Sequence, residues 1–215
     1  SEITGIERIG FLTSHPKDIP EELLFSFVKI PNLYKHLHFP LQSGSNKILE
    51  KMNRKYTIED YLKIVEKSRQ ICPEISLTSD IIVGFPGEIE DDFNQTYNII
   101  KEIKFDDLFV FKYSPRPKTL ASKWDNSVSQ SEKESRHKII LDLQDEISLM
   151  KNKDLVGKIL DTLCLKESQK KQGFLIGRDI RKKVVLFKGE KNLIGKVVRV
   201  KITIGTRNYL LGELF

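Results

Sequence analysis

The stretch ISLTSDIIVGFPGE, residues 75–88, decides the fold. Its first part, Ile75–Val83, is rich in β-branched and apolar residues, and Gly84, Pro86 and Gly87 then stop the run. A short apolar run closed by Gly and Pro reads as a buried strand followed by a tight exit loop. The segments on either side carry a helical period. Upstream, Thr57 and Asp60 have capping-box spacing, and Tyr61, Val65 and Ser68 continue one face as far as Ile71, where Pro73 blocks extension. Downstream, Phe93, Tyr97 and Ile100 make a second apolar stripe within Glu90–Ile103.

Working outward, the same alternation fills the first 150 residues. Ile9–Leu12, Leu37–Leu41 and Leu108–Tyr113 read as further strands, and Glu21–Ile30 and Ser45–Met52 as further helices. Strands alternating with helices imply βαβ units and a parallel sheet. Four strands are too few for a closed barrel, so this α/β part reads as incomplete at its amino end. Ser131 and Glu134 suggest a capping box that opens a long helix with the face Ile140, Leu143, Ile147 and Met150. After it the pattern changes. Lys158–Leu165, Phe174–Arg178, Val184–Phe187, Val197–Ile204 and Tyr209–Glu213 are short strand-like runs with no helix between them, which suggests a small OB-like barrel.

Charge divides the chain at the same place. Residues 151–215 hold 16 Lys/Arg against 6 Asp/Glu, a net of +10, whereas residues 1–150 carry a net of −4. A basic segment of that density beside an acidic body points to a polyanion partner. Lys170, Lys171, Arg178, Arg181, Lys182, Lys183, Lys188 and Lys191 form its cationic centre. Phe174 and Tyr209 are candidate base stackers, with the barrel core the favoured place for Phe174, Leu186 and Phe187. Contacts from such a module fall on backbone and shape rather than on base sequence. No apolar run spans a bilayer and no signal-peptide pattern opens the chain, so a cytoplasmic protein without membrane contact is expected. Cys72 and Cys164 are far apart in sequence and form no metal-ligand cluster.

Ligands of α/β sheets sit at the carboxyl ends of the strands. The four exits here are Thr13-Ser14-His15-Pro16, Pro40-Leu41-Gln42-Ser43-Gly44-Ser45, Val83-Gly84-Phe85-Pro86-Gly87-Glu88 and Tyr113-Ser114-Pro115-Arg116-Pro117. Each has a plain structural explanation when taken alone: glycines turn chains, Gln42 and Ser43 cap the next helix, His15 fills a turn, and Arg116 pairs with a surface carboxylate. Together they make one rim of small and polar residues that a ligand approaches closely.

Three strings then resemble one family: LHFPLQSGSNKILEKMNRKYT (residues 37–57), SDIIVGFPGE (residues 79–88) and YSPRPKTLA (residues 113–121). With FLTSHP at residues 11–16, they resemble the radical S-adenosylmethionine (SAM) methylthiotransferases, and most closely the branch acting on isopentenylated adenosine in tRNA. The tail from about Val156 is similar to the TRAM domain of these enzymes. The resemblance implies the carboxyl-terminal part of a partial (β/α) radical-SAM barrel over residues 1–152, followed by an all-β TRAM barrel over residues 153–215. It implies SAM held by Gln42, Ser43, Gly84 and Arg116, with Ser14 and His15 facing SAM or the RNA base. Asp80 and His38 point inward, either as ligand contacts or as a paired core group. RNA contacts fall to Lys170, Lys171, Arg178, Arg181, Lys182, Lys183 and Lys188.

The same resemblance implies [4Fe–4S] clusters in the parent enzyme, but the family's cysteine motifs are missing from this chain. A fragment that is inactive by itself is therefore expected. The implied reaction is addition of a methylthio group next to the anticodon, with tRNA as substrate, a flavodoxin or ferredoxin as electron donor, and a monomeric enzyme. The alternatives are sister enzymes acting on threonylcarbamoyl-adenosine or a ribosomal-protein aspartate, and a non-catalytic RNA-binding remnant. Ser43 after Gln42 speaks against the ribosomal branch, where a His usually follows.

Overall fold

The computed structural model describes residues 4–12, 19–124 and 127–215. Its first part is a parallel sheet in the order β1-β2-β3, formed by His36–His38, Ser76–Val83 and Asp107–Lys112. Helix α1 (Glu21–Lys29) precedes β1, α2 (Asn46–Lys51), α3 (Ile58–Ile71) and α4 (Glu90–Ile103) join the strands, and α5 (Gln130–Lys153) follows β3. The second part is a closed five-stranded barrel in the order β4-β5-β6-β8-β7. Its strands are β4 (Ile159–Glu167), β5 (Phe174–Asp179), β6 (Val184–Lys188), β7 (Val197–Gly205) and β8 (Leu210–Leu214).

Period-2 alternation splits β2 between two environments. Leu77, Ile81 and Val83 are buried in the main core with Leu37, Phe39, Tyr61, Ile100 and Phe105. Ser76, Thr78, Asp80 and Ile82 lie on the other face. The Thr57–Asp60 capping box starts α3 as its spacing implies. Helix α5 packs along the edge of β3, where His137 Nε2 lies 3.0 Å from Val110 O and Gln144 Nε2 donates to Phe105 O at 3.0 Å.

The structure corrects three sequence readings. Ile9–Leu12 forms no strand: Ile9 makes an isolated parallel bridge with Leu33. The long helix is capped by Ser129 and Glu132, two residues before the pair expected from sequence. Ser127 Oγ accepts from Gly87 N at 3.1 Å and Val128 is buried, so the chain is anchored up to that cap. Met150 is 42% exposed and lies outside the buried face of α5.

Barrel and sheet meet through specific contacts. Asp106, immediately before β3, accepts Leu77 N at 3.0 Å and lies 2.6 Å from Lys151 Nζ on α5 and 3.1 Å from Lys183 Nζ on the barrel. Asn152 Nδ2 donates to Thr206 O at 2.7 Å, and Lys35 N donates to Ile180 O at 2.8 Å.

Candidate functional site

The carboxyl ends of the three strands form one rim. After β1, Pro40 has no N–H for a ladder, and the chain follows β2 through irregular contacts instead. Leu41 N donates to Ser79 Oγ at 2.8 Å, and Gln42 N donates to Asp80 O at 2.8 Å. The Tyr61 hydroxyl donates to Phe39 O at 2.6 Å, and the Tyr56 hydroxyl to Leu41 O at 3.0 Å. Burial pushes the Tyr56 phenol up to about 12, so it remains a donor. These bonds hold Gln42 at φ 71, a left-handed conformation that costs free energy in a non-glycine residue. Such strain recurs where a backbone is preset for a ligand.

Ser43 turns away from the rim. It is fully buried, and its hydroxyl lies 3.3 Å from Thr96 Oγ1 on α4. Thr96 Oγ1 also accepts Gly44 N at 2.9 Å. A Cβ on Gly44 would come within 2.5 Å of the Thr96 backbone, so only glycine lets the loop sit this close to α4. Asp92 completes the anchor, accepting from Ser45 Oγ and pairing with Lys47, each at 2.7 Å.

Gly84 has φ 72, and its N–H donates to Glu88 Oε2 at 2.7 Å. Glu88 is buried and pairs with Arg136 Nη1 at 2.7 Å, which fastens the GFPGE loop to α5. Burial pushes the Glu88 carboxyl up, against the pull of the Gly84 N–H and Arg136. Arg116 lies exposed in the loop beyond β3, and no described carboxylate is within ion-pair distance of it. Near it, Tyr113 has a buried hydroxyl without a hydrogen-bond partner among the described residues. Ser14 and His15 lie outside the described residues. Gln42, Gly84 and Arg116 thus reach the carboxyl end of the sheet, and Ser43 supports it from behind.

Below the rim, the face of the sheet turned away from the main core carries a polar row. His36 Nε2 lies 3.2 Å from Thr78 Oγ1, which lies 3.0 Å from His38 Nδ1; His38 Nε2 lies 3.5 Å from Asp80 Oδ2. Phe109 and Phe111 flank this row, each 52% exposed, and Phe109 sits edge-on to His38 at 6.0 Å. The polar alternation at residues 76, 78 and 80 is the sequence signal for this face. Phe109 and Phe111 had none, because all of Leu108–Phe111 is apolar.

The basic residues of the barrel separate into two groups. Lys170 and Lys171 precede β5 and Lys188 ends β6, so these three share one end of the barrel. Arg178, Arg181, Lys182 and Lys183 lie at the other end, against the sheet. Arg181 pairs with Asp179 at 2.6 Å and Lys183 with Asp106. Phe187 and Leu175 are in the barrel core, whereas Phe174 is half-buried under the Lys171 cation at 3.8 Å. Tyr209 is 39% exposed.

Residues 2–100 match the model of the Radical SAM superfamily, and residues 153–215 match the TRAM domain. The chain thus carries a radical SAM domain in its first part and a TRAM domain in its tail. Its whole length is 45% identical to a tRNA-2-methylthio-N(6)-dimethylallyladenosine synthase of Thermoanaerobacter sp., covering 45% of that protein. It is 46% identical over 214 residues to the protein of the same name from Geotalea uraniireducens, covering 48% of it. The chain thus spans about half the length of the curated relatives it matches. Among solved structures, Escherichia coli coproporphyrinogen III oxidase, described as a radical SAM enzyme, superposes with a TM-score of 0.54. That match covers 65% of this chain and 32% of the other at 20% identity, a likeness of fold alone.

The radical SAM match implies SAM and an iron–sulfur cluster in the parent enzyme. The cluster does not fit the residues present. Cys72 lies in the main core and Cys164 in the barrel core, and among the described residues no three His, Cys, Asp or Glu side chains converge. At the rim, the strained Gln42 and the buried, partnerless Tyr113 hydroxyl are the features that suit a SAM-like ligand. Among the described residues no helix is long and apolar enough to cross a membrane.

Proposed function

We propose that this chain is the carboxyl-terminal part of a radical SAM methylthiotransferase that modifies isopentenylated adenosine next to the tRNA anticodon. The observation that carries this reading is identity of 45% along the whole chain to relatives bearing that activity in their names. Residues 1–152 then belong to the SAM-binding unit and residues 153–215 to an RNA grip. Gln42 and Arg116 orient SAM at the rim, the Tyr113 hydroxyl supplies a further hydrogen bond, and Gly84, packed against the Lys133 stem with its N–H on Glu88, shapes the loop between them. Ser43 acts on this site through Thr96. The radical chemistry belongs to SAM and to a cluster for which this chain has no thiolates. What the chain contributes is the holding surface and the contact with RNA, in a cytoplasmic enzyme served by a flavodoxin- or ferredoxin-like donor.

The test is nucleoside analysis of tRNA by mass spectrometry from cells in which the gene encoding this chain is disrupted. The expected result is loss of the methylthio group with the isopentenyl group retained. Unchanged methylthiolation would overturn the reading.

A further inference from the structure

Between the barrel and the amino-terminal ends of the sheet strands lies a crevice of about 490 Å³. It is at the opposite end of the strands from the rim. His36, Thr78 and Asp107 line it from the sheet, and Arg178, Lys182 and Tyr209 from the barrel. The turn that presents Lys182 is tightly organised. The buried Asp179 carboxylate accepts Arg181 N at 3.0 Å and Lys183 N at 2.9 Å, and Lys182 N donates to Asp179 O at 3.0 Å. Lys182 is thereby held at φ 63, a left-handed conformation that a lysine does not adopt without cost.

The cations around the crevice differ in how they are neutralised. Arg181 and Lys183 each have a carboxylate partner. Arg178 and Lys182 are partly buried and, among the described residues, have none within ion-pair distance. The Lys182 ammonium instead lies 5.6 Å from the centre of the Tyr34 ring. Burial, with Arg178 nearby, pushes the Lys182 ammonium down, and burial, with Lys182 nearby, pushes His36 down to about 4. A partly dehydrated pair of like charges on a strained, preset turn favours an arriving anion, even with Asp107 and Asp145 lining the same crevice. Tyr209, half-exposed on the same wall, offers a flat ring beside them.

We infer that this crevice seats a phosphate of an RNA strand between Lys182 and Arg178, with a neighbouring base against Tyr209. The inference rests on the proposed RNA-modifying function and refines it. The strand is gripped where barrel and sheet meet, and the exposed lysines at the far end, Lys170, Lys171 and Lys188, contribute only general attraction. Six residues of β5 separate the two ends, roughly 20 Å at the usual rise per residue.

The experiment measures tRNA binding by the whole chain across a salt series, for the unmodified protein, Lys182→Gln, Lys182→Gly and the double variant Lys170→Gln/Lys171→Gln. Both Lys182 variants should weaken binding about tenfold and lower the salt slope by about one. Lys182→Gly also relaxes the strained turn, so agreement between the two excludes misfolding as the cause. The double variant should lose no more than about threefold at physiological salt. Inorganic phosphate should compete only in the millimolar range, whereas a short single-stranded RNA should compete well below it. Binding left unchanged by Lys182→Gln, or lost mainly in the double variant, overturns the crevice and leaves RNA binding standing. Equal competition by phosphate and RNA reduces the crevice to a small-anion site and also overturns it. Absence of any RNA binding by the unmodified chain removes this inference and the RNA part of the proposed function together.

Discussion

Single residues decide whether the rim has its shape. Tyr61 is fully buried, and its hydroxyl is the partner of Phe39 O in a segment where Pro40 has interrupted the ladder. Tyr61→Phe keeps the ring and removes that bond, leaving a buried carbonyl without its donor. We expect a loss of about 1–3 kcal/mol, read as a lower urea midpoint with an unchanged slope. A shift of only a few tenths would mean that the carbonyl finds another partner. Gly44 tests the same loop by volume. Gly44→Ala places a methyl against the Thr96 backbone and should cost about 1–3 kcal/mol from overpacking. Gly157 makes an internal control, since its φ is 84 and a Cβ there meets nothing within 4 Å. Gly157→Ala should therefore show only the backbone penalty, about 1 kcal/mol. Equal losses at the two sites would argue against close packing of the loop on α4.

At the scale of elements, the joint between sheet and barrel is the point of pH sensitivity. Burial alone pushes the Asp106 carboxyl up, but Lys151, Lys183 and the Leu77 N–H outweigh it and leave it below its ordinary value. A depressed carboxylate contributes stability above its unfolded pKa, about 3.9, and loses it as pH falls through the folded value. His36 acts in the same direction over a higher window. Its folded pKa of about 4 lies below the ordinary 6.5, so the unfolded chain binds more protons between those values and acid weakens the fold. Urea midpoints taken from pH 7 downward should fall first between about 6.5 and 4 and again below about 3.9. His36→Gln should flatten the upper limb and Asp106→Asn the lower. A profile flat down to pH 4 in the unmodified chain would remove His36 from this account. This joint was not legible in the sequence, because Asp106 and Lys183 carry no local signature of one another. The Thr57–Asp60 box and the five barrel strands were legible, since caps, turns and period-2 alternation are local properties. The false strand at Ile9–Leu12 and the misplaced cap at Ser131 show the limit of local reading. A strand needs a partner along its length, and two overlapping S-x-x-E registers are separated only by contacts of Ser127 and Val128 with distant segments.

For the whole molecule, the acidic body and basic tail are partly complementary to each other, since Lys183–Asp106 and Arg207–Asp145 cross the joint. The tail's net charge therefore overstates what remains for an external anion. The distribution of thiols leads to the last prediction. The chain has two cysteines, Cys72 at the end of α3 and Cys164 inside the barrel, each buried in a separate core. Burial pushes both thiols up, so both are protonated near neutral pH. An iron–sulfur cluster needs three or four converging thiolates. Anaerobic treatment of this chain with iron and sulfide should therefore leave no stoichiometric cluster absorbance after desalting, and no 5′-deoxyadenosine should form with SAM and a reductant. SAM itself should still bind weakly at the rim by calorimetry, and Gln42→Ala should abolish that heat while leaving tRNA binding unchanged. Cluster uptake together with SAM cleavage would require ligands outside the two cores. A Gln42→Ala variant that lost tRNA binding and kept SAM binding would reverse the roles assigned to the two ends of the sheet.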